Sequence, residues 1–252
     1  MKRTIAAILL MAMAQPVQAA GADALFNAGQ FAAAADAARM VPTADSLTLA
    51  ARATLVVAAY EVDDKAKALK LIAEAEADAD RALKQAPDKV DALLQKAIAI
   101  GYRAKLTRSP GAAKDARTLM EDATRRAPKS ALAWASLGGW HGESVVTLGR
   151  FLAGTMVGAK AKAGIAAYDR ALALDPDSPV FRTLYAITLA DLDPDAQRLR
   201  TLLTPAARGT GGDGFDQLMR ARARALLAAL DGGKAGAITT AAAKARPFAR
   251  IR

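Results

Sequence analysis

Trp134-Ala-Ser-Leu137-Gly138-Gly-Trp140-His141 decides the fold together with Gly164-Ile-Ala-Ala-Tyr168-Asp-Arg-Ala171-Leu-Ala-Leu-Asp-Pro176. Trp134, Leu137, Gly138 and His141 stand at i, i+3, i+4 and i+7, a stripe along one face of an α-helix. In the second block Gly164, Tyr168 and Ala171 repeat that spacing, and Pro176 follows just past the end. The residue before a proline is pushed out of the helical region, so the helix stops there. Gly138 and Gly164 carry no side chain where a neighbouring helix must come close. The two blocks read as a helical hairpin.

Outward from this hairpin the pattern recurs. Ala116-x3-Met120-x2-Ala123-x4-Pro128 matches Gly164-x3-Tyr168-x2-Ala171-x4-Pro176, and Ala75-x3-Ala79-x2-Ala82-x4-Pro87 is a weaker copy. Phe26-Asn-Ala-Gly29-Gln-Phe31-x2-Ala34 has the turn and entry of another helix pair near the start. Alternation of period two is absent, so no strand is expected. The chain holds 66 alanines against 12 aromatic residues among 252. Alanine is the best helix former and fills little space, so the core must be made of helices lying close together.

These motifs resemble the tetratricopeptide repeat (TPR), whose first helix carries Trp-x2-Leu-Gly-x2-Tyr and whose second carries Ala-x3-Phe-x2-Ala-x4-Pro. Trp134, Leu137 and Gly138 match the first helix, with His141 in place of the Tyr. Gly164, Tyr168, Ala171 and Pro176 match the second, as do Ala116, Met120, Ala123 and Pro128 one unit earlier. The resemblance covers residues 22–192 and implies an all-α, right-handed superhelical stack of hairpins whose first helices line a concave groove. The usual period is about 34 residues, whereas the prolines here are 41 and 48 apart. Extra turns of helix would absorb the difference, the last unit running as one helix from Trp134 to Thr155. Its Leu-Gly-Gly-Trp-His start is also similar to the branch holding the T component of TRAP transporters and the regulator-of-microtubule-dynamics proteins.

Met1-Lys-Arg, an apolar run from Ile5 to Ala14, a break at Gln15-Pro16 and small residues ahead of Ala19 and Ala20 describe a secretory signal peptide over 1–19. Ten apolar residues are too few to span about 30 Å of hydrocarbon. The expected organisation is therefore a leader over 1–19, a helical repeat domain over 20–206, a Gly-rich joint over 207–214, and a basic helical cap and tail over 215–252. The expected compartment is a bacterial periplasm.

Lys and Arg number 35 against 25 Asp and Glu, a net +10. Residues 196–252 hold eleven of those cations and three carboxylates, so +8 lies there. Either this is a solvated face or it makes a peripheral contact with an anionic membrane surface. No aromatic residues interleave the charges to stack bases, so nucleic acid is not an expected partner.

Zero Cys and a single His exclude disulfides, thiolate zinc sites and multi-histidine centres. Gly209-Thr-Gly-Gly-Asp213-Gly214 satisfies G-x-G-x-x-G but lacks the βαβ surroundings of a dinucleotide site. Asp213 reads as a helix cap, and no cofactor is expected. The remaining polar-aromatic constellation is Trp140, His141, Glu143 and Arg150. One reading sets Arg150 beside Trp134 and Trp140 as a pocket for an anionic ligand. The plainer one buries both tryptophans and pairs Glu143 with Arg150, because a buried charge needs a partner. No nucleophile–base arrangement can be drawn. The expectation is a non-enzymatic scaffold that holds a protein or peptide in its groove. The alternative is an accessory or ligand-binding component of a solute transport system.

Overall fold

The computed structural model describes residues 15–251. Most of the expected leader, residues 1–14, lies outside them. Gln15-Pro16, expected as a break, and the Ala19–Ala20 cleavage position fall within the first described helix.

Six hairpins follow one another. They are α1 (Gln15–Asn27) with α2 (Phe31–Met40), α3 (Ala44–Tyr60) with α4 (Lys65–Gln85), and α5 (Val90–Thr107) with α6 (Pro110–Arg126). Then come α7 (Ala131–Leu148) with α8 (Ala161–Leu174), α9 (Pro179–Leu192) with α10 (Ala196–Ala207), and α11 (Gly214–Asp231) with α12 (Ala237–Ala245). No strand occurs among the described residues.

Local chemistry sets the ends. Thr43, Asp64, Ser109, Ser130, Ser178, Asp195 and Asp213 each cap a helix by accepting a backbone N–H with the side-chain oxygen. The three proline-anchored helices stop in one geometry: Ala86, Ala127 and Asp175 have φ/ψ of −138/84, −129/73 and −140/82. All three lie outside the helical region, which a following proline disfavours. The next helix then grips the proline's carbonyl. Trp134 Nε1 donates to Pro128 O at 3.0 Å, and Arg182 Nε donates to Pro176 O at 2.8 Å, each six residues on.

Small residues set the packing. Ala75, Ala79, Ala82, Ala116, Ala123 and Ala171 are all fully buried, so the repeated small positions are the helix contacts. α7 crosses α8 closely. A methyl group at Gly138 would come within 2.9 Å of Tyr168 Cδ2 and 3.1 Å of the Gly164 carbonyl; one at Gly164 would meet His141 Cβ at 3.1 Å. Tyr168 cannot retreat, because its ring stacks on Tyr185 at 4.9 Å and 12°.

The longest unit departs from expectation. The helix does not run to Thr155: α7 ends at Gly149, whose φ of 78° suits glycine alone. A turn (Arg150–Leu152) and a π-helical segment (Ala153–Val157) lead to Gly158. The extra residues therefore form a connecting knuckle, and its apolar Phe151 and Leu152 are 78% and 48% exposed. The shorter, 41-residue spacing is met by long helices, 18 residues in α5 and 17 in α6.

The last hairpin does not extend the row. α11 packs on α9 and α10 and also meets α1, so the stack curls back on its beginning. Gly214 lies against the Gly29 turn, where an added Cβ would stand 2.6 Å from Gly29 N. Arg52 on α3 closes the seam with an ion pair to Asp213 at 2.7 Å.

Substituting Gly138→Ala should cost about 1–3 kcal/mol, because Tyr168 and the Gly164 carbonyl are both pinned. Gly111→Ala, in α6 with nothing within 4 Å, should be neutral or stabilise by up to about 1 kcal/mol. Urea unfolding of the two variants checks the contrast.

Candidate functional site

The first helices of successive hairpins, α3, α5, α7 and α9, face inward. Because the stack curls, their inner faces enclose a cavity of about 1050 Å³. Its wall is mostly apolar, with Leu49, Ile98, Leu132, Trp140 and Leu184, and Phe215 of α11 on the far side. Polar groups enter from each level: Arg52 and Tyr60 on α3, Gln95, Tyr102 and Lys105 on α5, Glu143 on α7, and Thr188 on α9.

Glu143 is the electrostatic centre of this wall. Its carboxylate accepts from Lys105 Nζ at 2.7 Å and from Arg246 Nε at 2.9 Å. Burial alone would raise its pKa, but Lys105 and Arg246 outweigh burial and hold it below the ordinary carboxylate range. Burial pushes the Tyr60 hydroxyl up to about 12, although the nearby Arg222 guanidinium opposes the shift. Arg222 lies over the Tyr60 ring at 4.5 Å and donates to Ala245 O, while its Nε is buried without a partner.

Arg246 belongs to the segment after α12, which crosses the concave face. It bonds Glu143, Asp191 and the Ile187 carbonyl at once. Two residues on, Phe248 N donates to Ala59 O at 2.7 Å, and the ring meets Tyr102 edge-on at 4.9 Å.

The constellation expected at Trp140, His141, Glu143 and Arg150 comes apart in space. Trp140 and Glu143 line the cavity; His141 and Arg150 do not. Glu143 and Arg150 are unpaired because α7 ends between them, and Arg150 instead donates to Leu192 O at 3.1 Å on the exterior. The tryptophans hold different carbonyls, Trp134 that of Pro128 and Trp140 that of Ala113. No arginine stands between them as an anion site would require. His141 is a buried packing residue, 5% exposed, whose Nδ1 accepts from Lys160 N at 3.2 Å.

Sequence reasoning missed Tyr60, Tyr102, Lys105 and Asp191, which come from three different hairpins. Their only signal was lying on the first helices of hairpins. The C-terminal basic residues are largely occupied. Arg198 and Arg200 pair with carboxylates, and Arg220, Arg222 and Arg224 donate to backbone carbonyls. Among the described residues no group of three or more His, Asp or Glu is placed to hold a metal ion. None of the described helices is long and apolar enough to cross a membrane.

Compared with known proteins, the chain is similar to a crystal structure of a thermophilic TPR protein from Thermus thermophilus. The TM-score is 0.60 at 18% identity, over 84% of this chain and 99% of the other. The fold is all-α and TPR-like. No family model matches the sequence, and no curated protein does. The concave cavity is thus the inner face of a TPR-like stack.

His141 carries a pH dependence. Burial, reinforced by Arg117, lowers its pKa from 6.5 to about 4. A group depressed in the fold takes up its proton more readily when unfolded, so its contribution is complete above about 6.5 and shrinks as pH falls towards 4. The loss should reach up to ~3 kcal/mol over that window. His141→Asn, which can still accept from Lys160 N, should flatten this part of the stability–pH curve measured by urea unfolding.

Proposed function

We propose that this chain is an exported, non-enzymatic interaction scaffold that holds an extended segment of a partner protein in its concave cavity. The observation that carries the reading is the cavity itself. Four consecutive first helices line it, and it offers backbone carbonyls, paired charges and aromatic faces along its length. Apolar pockets beside hydrogen-bonding edges are how extended peptides are gripped.

Export rests on the leader pattern of residues 1–19 and places the protein in the bacterial periplasm. Mass analysis of the mature N-terminus should then find a chain beginning at Ala20. A retained Met1 would remove this part of the reading.

A second reading has an observation in its favour. A cavity of about 1050 Å³ lies at the top of the range typical for small-molecule sites, ~300–1,000 Å³. An accessory or ligand-binding role in a periplasmic solute transport system would use it for a small, largely apolar molecule. A contact with an anionic membrane has less to rest on, since exposed Arg208, Lys234, Lys244 and Arg250 are the basic side chains of this end left without a hydrogen bond or ion pair among the described residues.

A photo-crosslinking residue at Ser136, on the cavity wall, should capture a defined protein in cells. The same group at Lys70, exposed on α4, should not. Equal capture at both positions, or none, would overturn the scaffold reading. A small molecule carried through purification in native mass spectrometry would favour the second.

A further inference from the structure

The segment Arg246-Pro247-Phe248 is held as a bound peptide would be. Between them its three residues meet all four first helices. Arg246, with its side chain 11% exposed, is clamped by Glu143 of α7 and Asp191 of α9. The Pro247 carbonyl accepts from Lys105 Nζ of α5 at 3.5 Å. Phe248 donates its N–H to the Ala59 carbonyl of α3, and its ring, 6% exposed, packs on Tyr102. The segment makes a tight turn, Ala249 N donating to Arg246 O at 3.2 Å, with Pro247 and Phe248 at its corner. Two carboxylates select a guanidinium, and an aromatic wall selects an aromatic ring.

Two observations separate this segment from ordinary core. Phe248 has a φ of +66°, the left-handed region that a bulky side chain adopts only under strain. Behind it α12 packs on α9 and α11, and the α11–α12 connection beyond is exposed, with Gly233 and Gly236 at positive φ and nothing within 4 Å of an added Cβ. Strain at the contact and an uncrowded connection beyond α12 fit a displaceable occupant.

We propose that Glu143, Asp191, Lys105, Tyr102 and the Ala59 carbonyl form a recognition site for a peptide that makes a tight turn and carries a guanidinium two residues before an aromatic ring. In the free chain its own Arg246–Phe248 occupies the site. This rests on the reading that the concave face is the binding face. A partner bearing the same spacing competes with the tethered segment, whose effective concentration is in the millimolar range for a short linker. The site is therefore closed to weak ligands and opens to those that bind well.

The test uses the full chain and a labelled synthetic peptide, Ala-Lys-Ala-Arg-Pro-Phe-Ala-Arg-Ile, read by fluorescence anisotropy. The unaltered protein should bind it weakly or not at all. Arg246→Ala with Phe248→Ala, which vacates both anchors, should bind it at least tenfold more tightly. Adding Glu143→Gln, or changing the peptide's Arg or Phe to Ala, should remove that gain. A double variant with unchanged circular dichroism and cooperative melting, yet no gain in binding, overturns the proposal. So does a gain indifferent to the peptide's Arg and Phe. If the double variant fails to fold, a protease site placed between Lys234 and Ala235 serves instead. After cleavage, the released fragment should exchange with labelled peptide, and an absence of exchange is equally fatal. Partner capture at Ser136 without peptide binding would sink this inference alone; peptide binding without partner capture would sink the scaffold reading alone.

Discussion

Everything in this molecule depends on how closely its helices approach. With about a quarter of the residues alanine, the stripes that face one another are methyl groups and bare glycines rather than large side chains. At α7 on α8 the limit is reached, with Gly138 and Gly164 leaving no room for one more carbon. A helix packed this way buries little area per residue and gains stability from dispersion contacts across a fitted surface. Each hairpin therefore requires its neighbour, and the stack is stable only as a series of interfaces.

Close packing of the second helices against the first also sets the curvature, and the curvature carries the row round until α11 meets α1. Closure deepens the groove into a half-open cavity and brings charged groups of α5 and α7 into low-dielectric surroundings. There a carboxylate needs partners at hydrogen-bond distance. Glu143 obtains them from two directions, Lys105 on a neighbouring first helix and Arg246 from the far end of the chain. The tail is thereby tied to the interior, where Arg246–Ala249 make a tight turn against the first helices.

The repeat itself was legible. Trp134, Leu137, Gly138, Tyr168, Ala171 and the prolines at 87, 128 and 176 fall where local geometry requires them, since helical period, capping and the proline rule act within a few residues. The connection after α7 was not legible. Gly149 could have been a small packing residue like Gly138, and nothing nearby in sequence distinguishes the two. Glu143 and Arg150 have the spacing of one helix face, yet the break between them sends Arg150 to the exterior. The glycine run before α11 looked like a joint, whereas Gly214 is wedged against the Gly29 turn and Asp213 is held by Arg52.

By itself the sequence determined an all-α chain of hairpins, where most of them start and stop, and which small residues touch. Those properties follow from interactions among residues close along the chain. Only the tertiary structure decided that the row closes, that the C-terminal arginines are spent on carbonyls and carboxylates, and that Arg246 and Phe248 lie across the concave face. The physical reason is separation. Phe248 and Ala59 are joined by a hydrogen bond across most of the chain, and such a contact depends on the summed small rotations of every hairpin between them.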